Sequence, residues 1–147
     1  MTVEAFYTAE ELRHLIAAGS ISSDALQSIV GVDPLQLREF LDGAPPAGLT
    51  SQPSTLSGDE SARLSILAAQ LTEGLQIGDD ERLVAIYESL TTECRLTLAN
   101  IAQLTGLEID DLERVMRDPS TLTFQTRYEL AIKGSYLINA VNRARGR

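Results

Sequence analysis

The sequence predicts an all-α fold, arranged as two similar helical units joined by a flexible linker. Three observations predict it. Apolar residues recur at three- and four-residue steps in nearly every segment, which gathers them on one face of a helix. Nowhere do apolar and polar residues alternate over the length of a strand. The chain also resembles itself at a spacing of 75 residues, where "SSDALQSIVGVDPLQLREFLDG" (22–43) falls on "TLANIAQLTGLEIDDLERVMRD" (97–118).

Taken in order, "TAEELRHLIAAG" reads as a helix with Thr8 as its cap, Glu10 and Glu11 in its first turn and Gly19 as its stop. Leu12, Leu15 and Ile16 share one face of it. Two short helices follow, "SSDALQSIVG" and "DPLQLREFLDG", broken at Gly31, with Pro34 suited to the first turn of the second. Residues 44–58 collect Gly, Pro, Ser and Thr without periodicity, the composition of a linker. They separate an N-terminal unit, 1–43, from a C-terminal unit, 59–147. The C-terminal unit opens on "SGDESARLSILAAQLTEGLQIG", with Leu64, Leu67, Leu71 and Leu75 at helical steps. In "DDERLVAIYESL", Asp79 or Asp80 is the expected cap, and Leu83, Ile86, Tyr87 and Leu90 point inward. "TLANIAQLTG" and "EIDDLERVMRD" are again divided by a glycine, Gly106. A long helix from about Thr123 to Arg143 closes the chain, carrying Phe124, Tyr128, Ile132, Leu137 and Val141.

The self-similarity is specific to the paired short helices. Gly31 aligns with Gly106 and Leu37 with Leu112, while Leu26/Ile101, Ile29/Leu104, Val32/Leu107, Asp33/Glu108, Phe40/Val115 and Leu41/Met116 agree in character. Any two short helices joined by glycine and burying one face look somewhat alike. The agreement of these positions together, with the break held in place, favours two copies of one motif.

Composition bounds the function. With 147 residues, 44% of them hydrophobic, 5% aromatic and no Trp, the chain can bury an aliphatic core in at most two small domains. No apolar run approaches the ~20 residues of a membrane span, and the N-terminus lacks the basic start and apolar stretch of a signal peptide. The single cysteine, Cys94, forms no internal disulfide, which fits a reducing compartment. A cytoplasmic soluble protein is expected. One His and one Cys make no metal-ligand cluster, and no glycine-rich phosphate loop appears. His14 lies in an amphipathic helix with no nucleophile beside it. No cofactor, metal or enzymatic activity is therefore expected.

Charge is unevenly spread. The net charge is −9, yet residues 114–147 hold 7 basic side chains against 2 acidic, Asp118 and Glu129. Such asymmetry marks either a local binding face on an acidic body or basic residues favoured at helix C-termini by the macrodipole.

The second pair of short helices has the spacing of a helix-turn-helix. Ala102 supplies a small residue where a neighbouring helix crosses, and Gly106, four positions on, tolerates the positive φ of a tight turn. Ile109 or Leu107, with Leu112 and Val115, would anchor the second helix and leave its first turn free for a major groove. Over residues 96–145 the chain resembles the DNA-binding headpiece of the lac-repressor family. "LTLANIAQLTGL" is similar to that family's opening helix and turn, with Asn100 where an acid is usual. "RVMRDPSTLTFQTRYELAI" and "YLINAVNRAR" resemble its loop, its Thr-Arg start of a third helix at Thr126–Arg127, and its Tyr, Asn and Ala-Arg pattern, with Tyr136 and Asn139 in register. Arg145 stands where that family's hinge carries a leucine that wedges into the minor groove. The family's effector domain has no counterpart.

The resemblance implies a small DNA-binding transcriptional regulator with DNA contacts at Asp110, Asp111, Arg114, Arg117, Arg127, Lys133, Asn139, Arg143 and Arg145. Ile109, Asp110 and Asp111 stand where the family's second helix meets base edges, and carboxylates there oppose phosphate. They also suit a helix N-terminus on structural grounds alone. The alternative is therefore an acidic module whose degenerate helix-turn-helix docks a basic protein surface. A homodimer is a third expected association, since helix-turn-helix readers commonly pair. The stripe Leu64–Leu75 would serve as its interface, or else join the two halves of the chain.

Overall fold

The computed structural model describes residues 3–43 and 56–146. Every α-helix or shorter turn of helix among them belongs to one of two compact units, Met1–Gln76 and Ile77–Arg147, and the described residues contain no strand.

The N-terminal unit comprises α1 (Val3–Ala17), α2 (Ser23–Val30), α3 (Pro34–Leu41) and α4 (Gly58–Leu71). Ala9 and Leu12 of α1, Leu26 and Val30 of α2, Leu37, Phe40 and Leu41 of α3, and Leu64 and Ala68 of α4 close a single core. Two arginines tie its helices together. Arg13 donates to the Leu41 carbonyl at the end of α3, and Arg63 Nη1 donates to the Val30 carbonyl at 2.6 Å.

These contacts move the boundary expected from composition. The helix carrying Leu64 packs on α1 and α2 and belongs to the N-terminal unit, so the division falls after Gln76. At the far end of the expected linker, Leu56 is buried in the same core and Ser57 caps α4 through a reciprocal box with Glu60. Chain from 56 onward is thus part of the fold, while 44–55 lie outside the described residues. Leu75, the last member of the expected stripe, is exposed beyond the end of α4. Thr8 is also not a cap. It is buried inside α1, which begins five residues earlier, at Val3.

The C-terminal unit comprises α5 (Asp79–Glu88), α6 (Leu98–Thr105), α7 (Ile109–Arg117) and α8 (Phe124–Ala144). Its core is Leu83, Tyr87 and Leu90 from α5 and the turn after it, Ile101 from α6, Leu107, Leu112, Val115, Leu122 and Leu130. Gly78 rather than Asp79 or Asp80 occupies the cap of α5, and both acids fall in its first turn beside the positive end of the helix dipole. After Glu88 the helix loosens into a π turn over Ser89–Glu93, and the chain leaves it through Arg95 at φ 58°.

The 75-residue offset aligns the caps of the first short helix and most of the buried positions, though Asp33 caps the second helix of its unit where Glu108 makes no side-chain cap. Ser22 and Thr97 cap the first short helix of each unit, and Gly31 and Gly106 end it at φ 72° and 76°. Leu26, Val32, Leu37 and Phe40 are buried, and so are Ile101, Leu107, Leu112 and Val115. Ile29 and Leu104 are exposed in both.

Nothing lies within 4 Å of a Cβ added at either glycine, so substitution there meets only the backbone cost of the left-handed region. Gly31→Ala and Gly106→Ala are each expected to lose about 1 kcal/mol. Urea unfolding should show that loss with an unchanged helical spectrum, and Asn at either position should lose less.

Candidate nucleic-acid interface

Local chemistry builds the turn between α6 and α7. The Thr97 hydroxyl accepts the Asn100 N–H at 3.0 Å, and Asn100 Oδ1 accepts the Thr97 N–H at 3.0 Å. This reciprocal box satisfies two of the orphan donors at the start of α6. Asn100 therefore serves as the second half of the cap of α6. At the other end, Thr105 Oγ1 donates to the Ile101 carbonyl at 2.6 Å and accepts the Leu107 N–H at 3.2 Å, stitching the turn closed around Gly106.

Packing then fixes which face of α7 is free. Leu112 and Val115 are fully buried and Leu107 nearly so, whereas Ile109 is 44% exposed. Leu107 is therefore the anchor, and Ile109 joins the outer face. That face presents Glu108, Ile109, Asp110, Glu113 and Arg117, with Asp111 and Arg114 half-buried beside it. Glu108 makes no side-chain cap. Beyond the helix, the Asp118 carboxyl is held below its usual pKa by the Ser120 hydroxyl at 2.6 Å and the Ser120 N–H at 3.0 Å.

Three of the expected DNA contacts are engaged inside the unit. Arg114 Nη2 donates to the Thr121 carbonyl at 3.1 Å, bracing α7 against the short turn Pro119–Thr121. Arg127 Nη1 lies 3.1 and 3.2 Å from the two carboxylate oxygens of Asp80, and its guanidinium sits 5.6 Å from the centroid of the Phe124 ring. Its Nε is buried without a hydrogen-bond partner. This pair locks the start of α8 to the start of α5. Arg145 reaches Glu93 at 3.5 Å and the Cys94 sulfur at 3.6 Å. The other expected contacts point outward. Asp110, Arg117, Asn139 and Arg143 are exposed, and Asp111 and Lys133 are half-buried.

Sequence reasoning missed the partners of these arginines. Asp80 is 47 residues from Arg127 and Glu93 is 52 from Arg145, and neither pair leaves a local pattern. It also missed the outer face of α8, where Phe124, Tyr128, Ile132 and Tyr136 are all exposed. Their four-residue spacing was the available signal.

Among the described residues, no group of His, Cys, Asp and Glu is placed to hold a metal ion. No helix among them is long and apolar enough to cross a membrane.

Two short helices divided by a left-handed glycine, the second anchored by Leu107, Leu112 and Val115 with its first turn in solvent, define a helix-turn-helix protein. The chain belongs to a helix-turn-helix domain family, whose profile matches residues 5–146 and so takes in both units. The likeness to the lac-repressor headpiece is narrower, covering 96–145, and the match does not extend to it. No curated protein and no solved structure gives a significant match.

Proposed function

We propose that the protein is a small DNA-binding transcriptional regulator that uses the C-terminal helix-turn-helix, with α7 as its reading helix. The observation carrying this reading is the exposed first turn of α7, held by a buried Leu112–Val115 anchor in a chain of helix-turn-helix family. Arg117 on the outer face of α7, with Asn139 and Arg143 on α8, are the contacts left free for it. Arg114, Arg127 and Arg145 act instead by holding α7 and α8 in place.

The acids make this a reader of low general affinity. Glu108, Asp110 and Glu113 oppose the counterion-release attraction that drives non-specific binding. Arg95, Arg117 and Arg143 are exposed and make no ion pair among the described residues. The two of them among the expected contacts, Arg117 and Arg143, give a salt slope of about −2 in log K against log salt. Fluorescent genomic fragments, including the region upstream of the protein's own gene, should be titrated across a salt series. Saturable binding of one fragment with that shallow slope is expected. Arg117→Ala should weaken it at least several-fold, and Asp110→Asn should raise binding to every fragment. Absence of binding even at low salt would overturn the DNA reading.

A second reading has its own observation. The outer face of α7 carries three carboxylates against one arginine, a surface complementary to a basic protein. On that reading Asp110→Asn weakens association with the partner, the opposite sign to its effect on DNA.

A further inference from the structure

Within the C-terminal unit, α8 buries Leu130 and Gly134 and leaves its opposite side uncovered. That side is not the usual scatter of single apolar residues. Phe124 is 80% exposed, Tyr128 62%, Ile132 55% and Tyr136 77%, at strict four-residue spacing along one ridge of the helix. Together they offer on the order of 500 Å² of apolar and aromatic surface. A stable complex buries about 800 Å² per partner, which the polar side chains flanking the ridge can complete. Monomeric proteins rarely leave a contiguous patch of this kind open.

We propose that this ridge binds a second copy of the chain, α8 against α8 in antiparallel, two-fold pairing. The choice of occupant follows from charge and spacing. Glu129 and Lys133 lie on the neighbouring i±4 row, along one edge of the ridge, and make no ion pair with each other or with other described residues. A two-fold axis at the level of residue 131 leaves that edge facing its own copy and sets Glu129 opposite Lys133 of the second copy, twice over. The same axis interleaves the ridge. Tyr128, Ile132 and Tyr136 then each fall midway between two ridge residues of the other helix, at steps of about 3 Å along the axis, and Phe124 lies one such step beyond Tyr136 of the second copy. Aligned i±4 rows cross at about −50°. One register thus satisfies both the apolar residues and the charges. A heterologous partner would have to supply this complementarity separately. The pairing does not depend on DNA binding.

The test is sedimentation equilibrium of the full chain at micromolar concentrations, in wild type and four variants, with circular dichroism as the check on folding. Wild type should sediment at twice the mass of one chain, and Ile132→Asp should be monomeric while remaining helical. Glu129→Lys and Lys133→Glu should each weaken dimerisation at least tenfold by opposing like charges. The double variant E129K/K133E, which reverses both pairs, should recover most of the affinity. A monomeric wild type at all concentrations would overturn the proposal. So would a dimer that Ile132→Asp leaves intact, or one in which the double variant is weaker than both single variants.

Discussion

Leu112→Ala should destabilise the C-terminal unit by about 2–5 kcal/mol, the range for a fully buried leucine that leaves a cavity behind. Leu112 has no exposed surface, and it packs among Ile101 of α6, Val115 of its own helix and Leu83 and Tyr87 of α5. It is also the residue that holds α7 in place with its first turn outward. α7 has nine residues, far too short to be stable without its packed face. Hydrogen exchange resolves the two units. Amides of α6 and α7 should lose protection by the full loss in stability, while those of α1–α4 keep theirs. Leu37→Ala, at the same register in the N-terminal unit and 3% exposed, should give the converse pattern. DNA binding, if carried by α7, should fall with Leu112→Ala in parallel with the exchange. Uniform loss of protection in both units under either substitution would show that their cores unfold as one.

The paired short helices were legible because their determinants are local. A cap, a left-handed glycine and four apolar residues at helical spacing all lie within about twenty positions, and each leaves its mark on residue type. The placement of α4 was not legible for the opposite reason. Composition changes at residues 44–58, but membership in a core is decided by packing such as that of α4, with Leu64, on α1 and α2, which has no local signature. The candidate site divides along the same line. The acids on α7 and its buried anchor could be read from periodicity, with Leu107 and Ile109 left as alternatives that only packing separates. The roles of Arg127 and Arg145 could not, since a basic residue near the end of a chain looks the same whether it meets a phosphate or an internal carboxylate. Even the Asn100 departure needed geometry, because the amide oxygen fulfils a cap as an acid would.

Gly134 is a further case in which sequence alone is silent, and substitution there should have the second large effect. A glycine in the middle of a 21-residue helix costs about 1 kcal/mol relative to alanine. A Cβ at this position would lie 2.8 Å from the Tyr87 hydroxyl oxygen, 2.9 Å from its Cζ and 3.1 Å from Ile86 Cγ2. Tyr87 cannot retreat. It is wholly buried, and its hydroxyl donates to the Leu130 carbonyl at 2.5 Å. Burial also pushes the pKa of that hydroxyl up, which favours its protonated, donating form. Gly134→Ala should therefore be destabilising despite its better helix propensity, and Gly134→Leu should cost about 3 kcal/mol or more through overpacking. Tyr87→Phe alone should cost about 1 kcal/mol for the lost hydrogen bond. In the double variant Y87F/G134A the nearest clash is gone, and the two losses should sum to less than their separate values, a coupling that urea unfolding can measure. Additive losses would mean that α8 shifts away from α5 as a whole. In that event the Arg127–Asp80 pair, which spans the same two helices, should weaken as well, and Asp80→Ala should cost less in the G134A background than in the wild type.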